Sequence, residues 1–461
     1  MTAHRAWLTI VATTALLAIS NVAAAQQRVA DERWVATWGT ALTLFQAAPA
    51  IPRAAQGQPA PTPPQQSAPA PVSTSPAATS PAAAAPSNGP ARRFGIPTPL
   101  DSLRDQTLRM VVRTSLGGRR VRVRLYNAIG GRAVWVGAAH VAVSAGGSGI
   151  VPASGRALSF GGRPAVTLYA GQTVVSDPVS LEVQPLTDLA VSLYFPEETG
   201  PPTSHRFALR HGYVSTSGDV TAAREIADTV RTTESYHWLA GIDVLAPASA
   251  GVVVNFGDSI TDGDQSTPDS SRAWPTLLAR RLQQNRATRH IGVVNAGVSG
   301  NRLLGDNGSG LVRFVKDALS VPGVRWVTVL EGINDITGGT RDPSAPTLTA
   351  DDLIAAYRQV IELAHVQGVR VIGCTITPYG GSRVHNAVGE AIRQRVNQWI
   401  RTSGAFDAVV DFDAATRDPA NPTRFRAEAD SPDLLHPGDA GYRLMAEAID
   451  LALFTRAQVV R

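Results

Sequence analysis

The chain has 461 residues, of which 44% are hydrophobic and 17% are charged, and its formal net charge is +5. This composition is typical of a globular protein and does not indicate a fibrous or membrane protein. The length exceeds what one hydrophobic core usually supports, so we expect two domains. The positive charge does not indicate nucleic-acid binding, because Lys316 is the only lysine and the arginines form no single basic patch.

Residues 1–25 have the layout of a cleavable secretory signal peptide. His4 and Arg5 precede an apolar run over residues 7–19, and alanines at 23–25 supply small side chains for cleavage before Gln26. The apolar run is too short to span a bilayer permanently. We therefore expect a secreted or periplasmic protein without stable membrane insertion.

The next segment, residues 47–99, is rich in proline, alanine, serine and glutamine. Such a composition cannot bury enough apolar surface to offset its chain entropy, so it predicts a disordered segment. A strand-like run at 34–39 precedes it, which favours an insertion into the first domain, since a long surface loop costs little closure entropy. A tether for a mobile N-terminal strand is the alternative interpretation.

Short β patterns separated by glycine-rich turns follow, and they predict an all-β sandwich or jelly-roll domain over residues 30–247. The clearest patterns cover residues 107–115, 119–126, 133–143, 164–169 and 189–195. The one helical turn that we expect in this region lies near 221–226.

After Gly251 apolar strands alternate with amphipathic helices. The predicted strands are 252–256, 291–295, 326–330, 369–376 and 408–412, and the predicted helices are 273–284, 311–319, 350–367, 390–402 and 440–454. This alternation predicts a flavodoxin-like three-layer α/β/α domain over residues 251–461, with a five-stranded parallel sheet. Ligands of such domains bind at the carboxyl ends of the strands.

Four polar clusters follow four of these predicted strands. They are 257–263 (Gly-Asp-Ser-Ile-Thr-Asp-Gly), 295–302 (Asn-Ala-Gly-Val-Ser-Gly-Asn-Arg), 331–335 (Glu-Gly-Ile-Asn-Asp) and 433–437 (Asp-Leu-Leu-His-Pro). Each alone is weak evidence, because Gly-Asp-Ser is a common turn and Asn-Asp a common helix cap. All four at one end of a single sheet predict an active site.

These clusters resemble the four signature blocks of the SGNH, or GDSL-type, ester hydrolases. The resemblance covers the chain from Gly251 onward and departs little from the family pattern, with Ile260 standing where leucine often follows the serine. In the second block either Gly297 or Gly300 could be the oxyanion glycine, and we choose Gly300. The run at 37–41 and the β-rich front half resemble a subgroup with an N-terminal β-domain, which includes aryl- and acylesterases associated with polysaccharide breakdown.

The chemistry of these residue types agrees with the resemblance. Ser259 needs a base to become a nucleophile, and His436 has a suitable pKa near neutrality. Asp433, three residues earlier, can hold the other ring nitrogen and stabilise the imidazolium. The backbone N–H groups of Ser259 and Gly300 and the side-chain amide of Asn334 would donate to the oxyanion.

We therefore expect a secreted serine esterase that cleaves small acyl esters, acetyl esters above all, of small molecules or carbohydrates through an acyl-enzyme. A lipase, a thioesterase or an acyltransferase would use the same triad, and a non-catalytic glycan-binding protein is the alternative from another class. The sequence contains no Gly-x-Ser-x-Gly motif and no histidine–carboxylate cluster with metal-ligand spacing. We expect no cofactor, no metal and no nucleic-acid partner, and the oligomeric state stays open.

Overall fold

A computed structural model describes residues 32–44, 100–128, 131–305 and 308–455. The predicted signal peptide (1–25) and the predicted insertion (47–99) lie outside the described residues. Within these ranges, no helix has the length and apolar character needed to cross a membrane. All described residues fall in one compact unit, so the domain boundaries at 30–247 and 251–461 stay a prediction.

The first part of the chain is a β-rich region in which every strand pairing is antiparallel. Its strands are β1 (Glu32–Gly39), β2 (Thr43–Leu44), β3 (Gln106–Arg113), β4 (Gly118–Tyr126), β5 (Val134–Val136), β6 (Ala138–Gly146), β7 (Gly149–Ile150), β8 (Arg156–Ala157), β9 (Val166–Leu168), β10 (Thr173–Val175), β11 (Val179–Val183), β12 (Asp188–Phe195), β13 (Thr203–His205), β14 (Gly212–Ser215), β15 (Thr229–Thr233), β16 (Tyr236–His237) and β17 (Leu239–Pro247). Two larger sheets run in the order β1-β17-β4-β10 and β15-β14-β3-β12-β6-β7. In the first, β11 also pairs with β4, and in the second β8 also pairs with β6. This confirms that the region is β-rich, as the predicted all-β domain requires, whereas its arrangement as a sandwich or jelly roll stays a prediction.

The alternation of arginine and valine in β4 explains its place in the first sheet. Val121 and Val123 are buried in the hydrophobic core, as the period of two in a strand requires. Arg122 and Arg124 on the other face bracket Asp243 of β17, at 2.9 and 3.0 Å. The arginines of this strand therefore hold two neighbouring strands together.

Near the turn expected at 221–226, residues 221 and 222 form a hydrogen-bonded turn, in which the N–H of Ala223 donates to the carbonyl of Val220 (3.1 Å), and no helix continues from it. The buried guanidinium of Arg109 holds this segment, since it donates to the carbonyls of Thr221 (3.0 Å) and Ala223 (2.9 Å).

The second part of the chain has five parallel strands and eight α-helices among the described residues. The strands are β18 (Gly251–Gly257), β19 (Ile291–Gly297), β20 (Val324–Leu330), β21 (Arg370–Cys374) and β22 (Ala408–Val410), and the helices are α1 (Ser259–Asp262), α2 (Trp274–Gln284), α3 (Gly310–Phe314, continued by a π-helical turn, Val315–Leu319), α4 (Ile333–Gly339), α5 (Ala350–Val366), α6 (Ala387–Thr402), α7 (Phe412–Thr416) and α8 (Asp439–Ala448). The strand order is β19-β18-β20-β21-β22, with the first two strands exchanged, which is the flavodoxin-like order. The prediction of a five-stranded parallel sheet between helices is confirmed.

The β-rich region covers the open edge of this parallel sheet. Edge strand β19 would otherwise present unpaired backbone groups. The hydroxyl of Ser115 accepts from the backbone N–H of Val293 (2.8 Å) and donates to the carbonyl of Thr37 (2.6 Å). The two parts of the chain are therefore joined by hydrogen bonds at the edge next to β18, the strand that leads to Ser259.

Candidate active site

Ser259 lies directly after β18, at the first position of the short helix α1. Asp258 caps this helix, its side chain accepting from the N–H of Ile260 at 2.9 Å. Gly257 is required at the end of the strand, because a Cβ there would overlap the carbonyl of Leu330 and the side chain of Thr261. The turn therefore presents the serine at the carboxyl end of the central strand.

His436 lies beside Ser259 although 176 residues of chain separate them. Its Nε2 is 2.8 Å from Ser259 Oγ, and its Nδ1 is 2.7 Å from Asp433 Oδ2. The other carboxylate oxygen of Asp433 accepts from the backbone N–H of His436 and of Leu435, both at 3.0 Å. The structure thus brings together a hydroxyl, an imidazole and a carboxylate in one hydrogen-bonded row.

The environment shifts the pKa values of the two ionisable members of this row in opposite directions. Burial acts to raise the pKa of Asp433, but its hydrogen bond with the His436 ring and the positive charge there lower it below the usual range. Burial acts to lower the pKa of His436, but Asp433 and the nearby Asp264 raise it above its ordinary value of 6.5. The pair therefore favours a carboxylate beside an imidazole that readily takes up a proton.

Gly300 and Asn334 follow β19 and β20, the two strands that flank β18. Gly300 has a φ of +79° and open space where a Cβ would point, and its N–H has no partner among the described residues. The side-chain amide of Asn334 donates one hydrogen to the carbonyl of Asn301 (2.9 Å), which leaves its second hydrogen for another acceptor. As the first residue of α1, Ser259 has an N–H without a helical acceptor.

The alternative glycine, Gly297, occupies a different environment. Its N–H donates to the side chain of Asn295 at 2.9 Å, and a Cβ at this position would overlap the backbone of Asp262. The need for glycine at 297 is therefore a matter of close packing, whereas the free N–H belongs to Gly300.

A comparison with protein families finds a match for the part of the chain that contains these residues. Residues 256–444 match the model of the GDSL-like lipase/acylhydrolase family. This part of the chain belongs to that family. It is a carboxylic ester hydrolase domain, called the GDSL-like domain below. No curated protein matches the chain in the corresponding sequence comparison.

Solved structures similar to the GDSL-like domain include two acetylxylan esterases and a lipase. A catalytic mutant of an acetylxylan esterase from Geobacillus stearothermophilus is 23% identical, with 43% of this chain and 92% of that chain covered and a TM-score of 0.34. A second acetyl xylan esterase is 22% identical, with 43% and 96% covered and a TM-score of 0.33. A GDSL-like lipase from Bacteroides thetaiotaomicron VPI-5482 is 18% identical, with 44% and 87% covered and a TM-score of 0.33.

Behind the Ser259 turn, the GDSL-like domain buries a network around Arg313 that the sequence did not reveal. This guanidinium donates to the carbonyls of Gly257 and Ala296 (both 2.8 Å), to the Asn301 side chain (2.8 Å) and to Glu331 (3.1 Å). It therefore joins the strand ends that lead into the first three signature blocks. An arginine in a helix pattern carries no signal for such a role, because only the fold shows that α3 points it beneath the sheet edge.

Two buried carboxyls share this single arginine. Burial raises the pKa of Asp258 to about 7 and that of Glu331 well above its usual range. The positive charge at Arg313 lowers both pKa values, but by less than burial and the charges of the neighbouring carboxyls raise them.

Asp264 is a further residue that the sequence did not single out. Its Oδ2 lies 3.8 Å from Nε2 of His436, and burial raises the pKa of its carboxyl. The hydroxyl of Tyr442 donates to its backbone carbonyl (2.5 Å), which ties the loop after α1 to α8. It adds a second carboxyl on the side of the imidazole that faces Ser259.

A contact between the β-rich region and the GDSL-like domain also reaches the site. Nε2 of His205 lies 2.9 Å from Oδ1 of Asp262, the last residue of α1. The other oxygen of Asp262 accepts from the N–H (3.1 Å) and the hydroxyl (2.9 Å) of Ser299, the neighbour of Gly300. Asp262 thus connects β13, the nucleophile helix and the Gly300 loop.

A cavity of about 420 Å³ opens next to Gly300 and Asn334. Its lining also includes Arg302, Arg341 and Arg383 but no carboxylate. Among the described residues, no three side chains of the metal-binding types come together in a cluster that could hold an ion. The roles assigned to Ser259, His436, Asp433, Gly300 and Asn334 stay predictions, and the geometry places all five at one end of the sheet.

Proposed function

We propose that this protein is a serine esterase that removes small acyl groups, acetyl groups above all, from polar alcohols such as carbohydrates. The observation that carries the proposal is the row Ser259–His436–Asp433, with contacts of 2.8 and 2.7 Å, beside the open donors of Gly300 and Asn334. A nucleophile, its base and a pocket for negative charge are the parts that acyl transfer requires.

In the first half of the reaction Ser259 Oγ attacks the ester carbonyl while His436 Nε2 takes its proton. The carbonyl oxygen gains negative charge and accepts from the N–H groups of Ser259 and Gly300 and from the Asn334 amide. Asp433 holds the imidazolium and its orientation. The alcohol then leaves with the proton from His436, and the acyl group stays on Ser259.

In the second half water attacks the acyl-enzyme, and His436 again takes and returns a proton. The carboxylate is released and Ser259 is regenerated. The lowered pKa of Asp433 keeps it ionised throughout, so it stabilises the imidazolium in both halves.

The choice of a polar substrate rests on the cavity beside the oxyanion donors. Its lining is polar and cationic, with three arginines together with Thr337 and Asn386. A long acyl chain would gain little there, because charged and hydrogen-bonding groups would lose water without receiving partners. This lining favours an acetyl ester of a hydrophilic alcohol over a lipid.

Ser259→Ala tests the mechanism. We expect it to lower kcat for p-nitrophenyl acetate by roughly 10⁶-fold, as loss of the nucleophile does in serine hydrolases, with an unchanged unfolding temperature. A fluorophosphonate probe should label the wild-type protein and not the variant. Undiminished hydrolysis by the variant, or a wild-type protein without labelling, would contradict the proposal, and the second result would favour a glycan-binding protein.

Acyl length and acceptor separate the remaining functions. We expect kcat/KM to fall steadily from acetyl to decanoyl p-nitrophenyl esters, and acetate to be released from acetylated xylan. A preference for decanoyl or longer esters would favour a lipase, and transfer of acetyl to added sugar in place of water would favour an acyltransferase.

We also propose that the protein acts outside the cytoplasm, as residues 1–25 suggest. The mass of the protein purified from the native host should correspond to a chain that begins at Gln26. A protein that retains residues 1–25 in the cytoplasmic fraction would contradict this.

A further inference from the structure

The cavity beside Gly300 and Asn334, called the arginine cavity below, concentrates positive charge without an internal partner. Arg302, Arg341 and Arg383 line it, and in the described part of the chain none of these three guanidinium groups pairs with a carboxylate. Asp335 is a carboxyl whose pKa is affected by the charge of Arg302. Its oxygens already accept from the backbone N–H groups of Leu303 and Leu304, both at 2.8 Å.

The start of α6 adds to the positive potential of the arginine cavity. Asn386 lines the cavity and caps this 16-residue helix, its side-chain oxygen accepting from the N–H of Gly389 at 2.8 Å. The N-terminus of a helix carries a partial positive charge and free N–H groups, which favour an anion. The helix N-terminus and the arginines therefore both contribute positive potential, which attracts an anionic ligand.

We infer that the arginine cavity is a subsite for a carboxylate carried by the ester substrate. The inference rests on the proposed esterase function and narrows its substrate class to acyl esters of acidic molecules, such as uronic-acid carbohydrates. Planar guanidinium groups bind carboxylates in a forked geometry that a neutral sugar cannot use. The carboxylate could belong to the alcohol or to the acyl group, and the experiment separates the two.

The test is a calorimetric titration that does not depend on turnover. Oligogalacturonate represents a carboxylate on the alcohol side, succinate represents one on the acyl side, and a neutral xylo-oligosaccharide is the control ligand. The protein variants are Arg341→Ala with Arg383→Ala, and the single control Arg286→Ala. Arg286 is an exposed arginine just before β19, at the opposite end of the strands.

We expect one acidic ligand to bind the wild-type protein, and its Kd to rise about tenfold in the double variant, since each exposed ion pair contributes little. Arg286→Ala should leave the Kd unchanged, and binding should weaken with added salt. Binding of oligogalacturonate would place the carboxylate on the alcohol side, and binding of succinate would place it on the acyl side. No binding of either acid, or equal binding by the double variant, would overturn the inference.

Kinetics distinguish a failure of the subsite from a failure of the proposed function. If oligogalacturonate is the ligand that binds, acetylated oligogalacturonate is compared with acetylated xylo-oligosaccharide; if succinate binds, a succinyl ester is compared with the acetyl ester of the same alcohol. In either pair the double variant should lose the preference for the acidic ester. A protein that binds the acid but cleaves no ester would contradict the proposed function alone. One that cleaves both esters equally, with or without the arginines, would contradict the subsite alone.

A second observation concerns His205 of the β-rich region, which is 6% exposed and surrounded by acceptors. Its Nδ1 lies 3.1 Å from the carbonyl of Ala41. Its Nε2 lies 3.2 Å from the carbonyl of Phe207 and 2.9 Å from the carboxylate of Asp262. An oxygen acceptor at both nitrogens requires a hydrogen on both, so the ring is an imidazolium.

We propose that His205 is a positioning residue that acts through Asp262 on the spacing between Ser259 and Gly300. Asp262 ends the helix that begins at Ser259. Its Oδ2, the oxygen that does not contact His205, accepts from the N–H and the hydroxyl of Ser299. The buried cation fixes this carboxylate, so the nucleophile and the oxyanion loop keep one relative position. The β-rich region would thereby contribute to turnover without touching the substrate.

The charges around His205 support its protonation. Burial alone would lower the pKa of this ring, but the charge and hydrogen bond of Asp262 and the two carbonyls raise it above the ordinary value. Tyr236, stacked on the ring at 6.2 Å between centroids, is kept neutral because burial raises its pKa.

His237 offers a matched control on the neighbouring strand. It pairs with Ser204 in the sheet and is fully buried, but it faces the hydroxyls of Ser204 (2.7 Å) and Thr233 (3.1 Å). Burial lowers its pKa to about 3, so it is neutral. His205→Gln and His237→Gln therefore remove buried imidazoles from adjacent strands, of which only the first contacts the GDSL-like domain.

We expect His205→Gln to lower kcat for p-nitrophenyl acetate about tenfold to a hundredfold with little change in KM, since misplacement of catalytic groups acts on the transition state. His237→Gln should lower the unfolding temperature and leave kcat intact. The double variant His205→Gln with Asp262→Asn should be no slower than Asp262→Asn alone.

Wild-type kcat in folded His205→Gln, or losses that add in the double variant, would overturn the proposal. Ser299→Ala tests the same path from its other end if His205→Gln fails to fold. It should lower kcat severalfold at constant KM, and an unchanged kcat would equally overturn the proposal.

Discussion

The β-rich region and the GDSL-like domain bury polar groups to different ends. Asp243 in the β-rich region is fully buried, and each of its oxygens is matched by an arginine, Arg122 or Arg124. In the GDSL-like domain, Arg313 lies 3.1 Å from Glu331 and 3.5 Å from Asp317 and also acts on the buried Asp258, and among the described residues one oxygen of Glu331 has no hydrogen-bond partner. The first arrangement is complete within the protein, whereas the second is incomplete.

This difference teaches where to look for chemistry. A buried carboxylate with one cation for each oxygen stabilises a fold and offers nothing to a ligand. Donors without an acceptor, such as the Gly300 N–H, and buried carboxyls of raised pKa lower the stability of the fold. Such groups are typical of functional sites, where a substrate or a transition state supplies the missing partner. Substitutions of equal size in the two regions should therefore affect different measurements.

After Ser259→Ala, Asp433→Asn should produce the largest effect, and it separates activity from stability. The amide preserves the size of the side chain but removes the charge that stabilises the His436 imidazolium. It also favours the wrong tautomer of the ring. We expect kcat for p-nitrophenyl acetate to fall by roughly 10⁴-fold, with a small change in unfolding temperature. A loss below tenfold would mean that another carboxyl, with Asp264 the nearest, supports the histidine.

The position of Asp433 also shows what the sequence could predict. Strand–helix alternation predicted the five parallel strands, and the rule that ligands bind at strand ends predicted a common site for Ser259, Gly300 and Asn334. Asp433 and His436 could be paired because only two residues separate them on one loop. These predictions depend on local patterns, and the fold preserves local patterns.

Residues that act across the fold could not be predicted in this way. Arg313 resembles any arginine on a helix, and Asp264 any residue of a polar loop. His205 comes from a strand of three residues in a separate sheet. Their roles depend on contacts between elements distant in sequence, and neither periodicity nor motif spacing carries information on such contacts.

Asn334→Ala should produce the next largest effect and tests the donor side of the incomplete site. Removing one of the donors to the oxyanion should lower kcat by roughly 10²–10³-fold while KM stays similar. The side chain also donates to the carbonyl of Asn301, so a folded-state control is needed. Thermal unfolding of the variant provides it, and a loss confined to KM would instead make Asn334 a substrate-binding residue.

A matched pair of carboxylate-to-amide substitutions tests the comparison through stability. Asp243→Asn leaves two arginines facing a neutral side chain, so we expect the free energy of unfolding to fall by about 2 kcal/mol. Glu331→Gln keeps a side-chain oxygen that can accept from Arg313 and removes a charge that burial and the neighbouring carboxyls disfavour, so we expect a change below about 0.5 kcal/mol. Denaturant unfolding at pH 7 measures both, and a larger loss for Glu331→Gln than for Asp243→Asn would reverse the comparison.

The smallest effect concerns the pH dependence of kcat/KM, which should reflect the negative charges of the carboxyls around His436. Below its pKa His436 is protonated and cannot accept the Ser259 proton, so kcat/KM falls as the pH falls through that pKa. Because the neighbouring carboxylates raise the pKa, the midpoint of this acid limb should lie above pH 6.5. Asp264→Asn removes the carboxyl 3.8 Å from Nε2 and should move the midpoint to lower pH.

Asp258 is the control for this assignment, since its pKa of about 7 falls in the same range. Asp258→Asn retains a side-chain oxygen that can cap α1, so the helix should persist. If His436 governs the limb, Asp258→Asn retains it, displaced to lower pH because a further negative charge is lost. Disappearance of the limb in this variant would assign the titration to the buried acid pair, and the incomplete charge balance behind Ser259 would then itself control turnover.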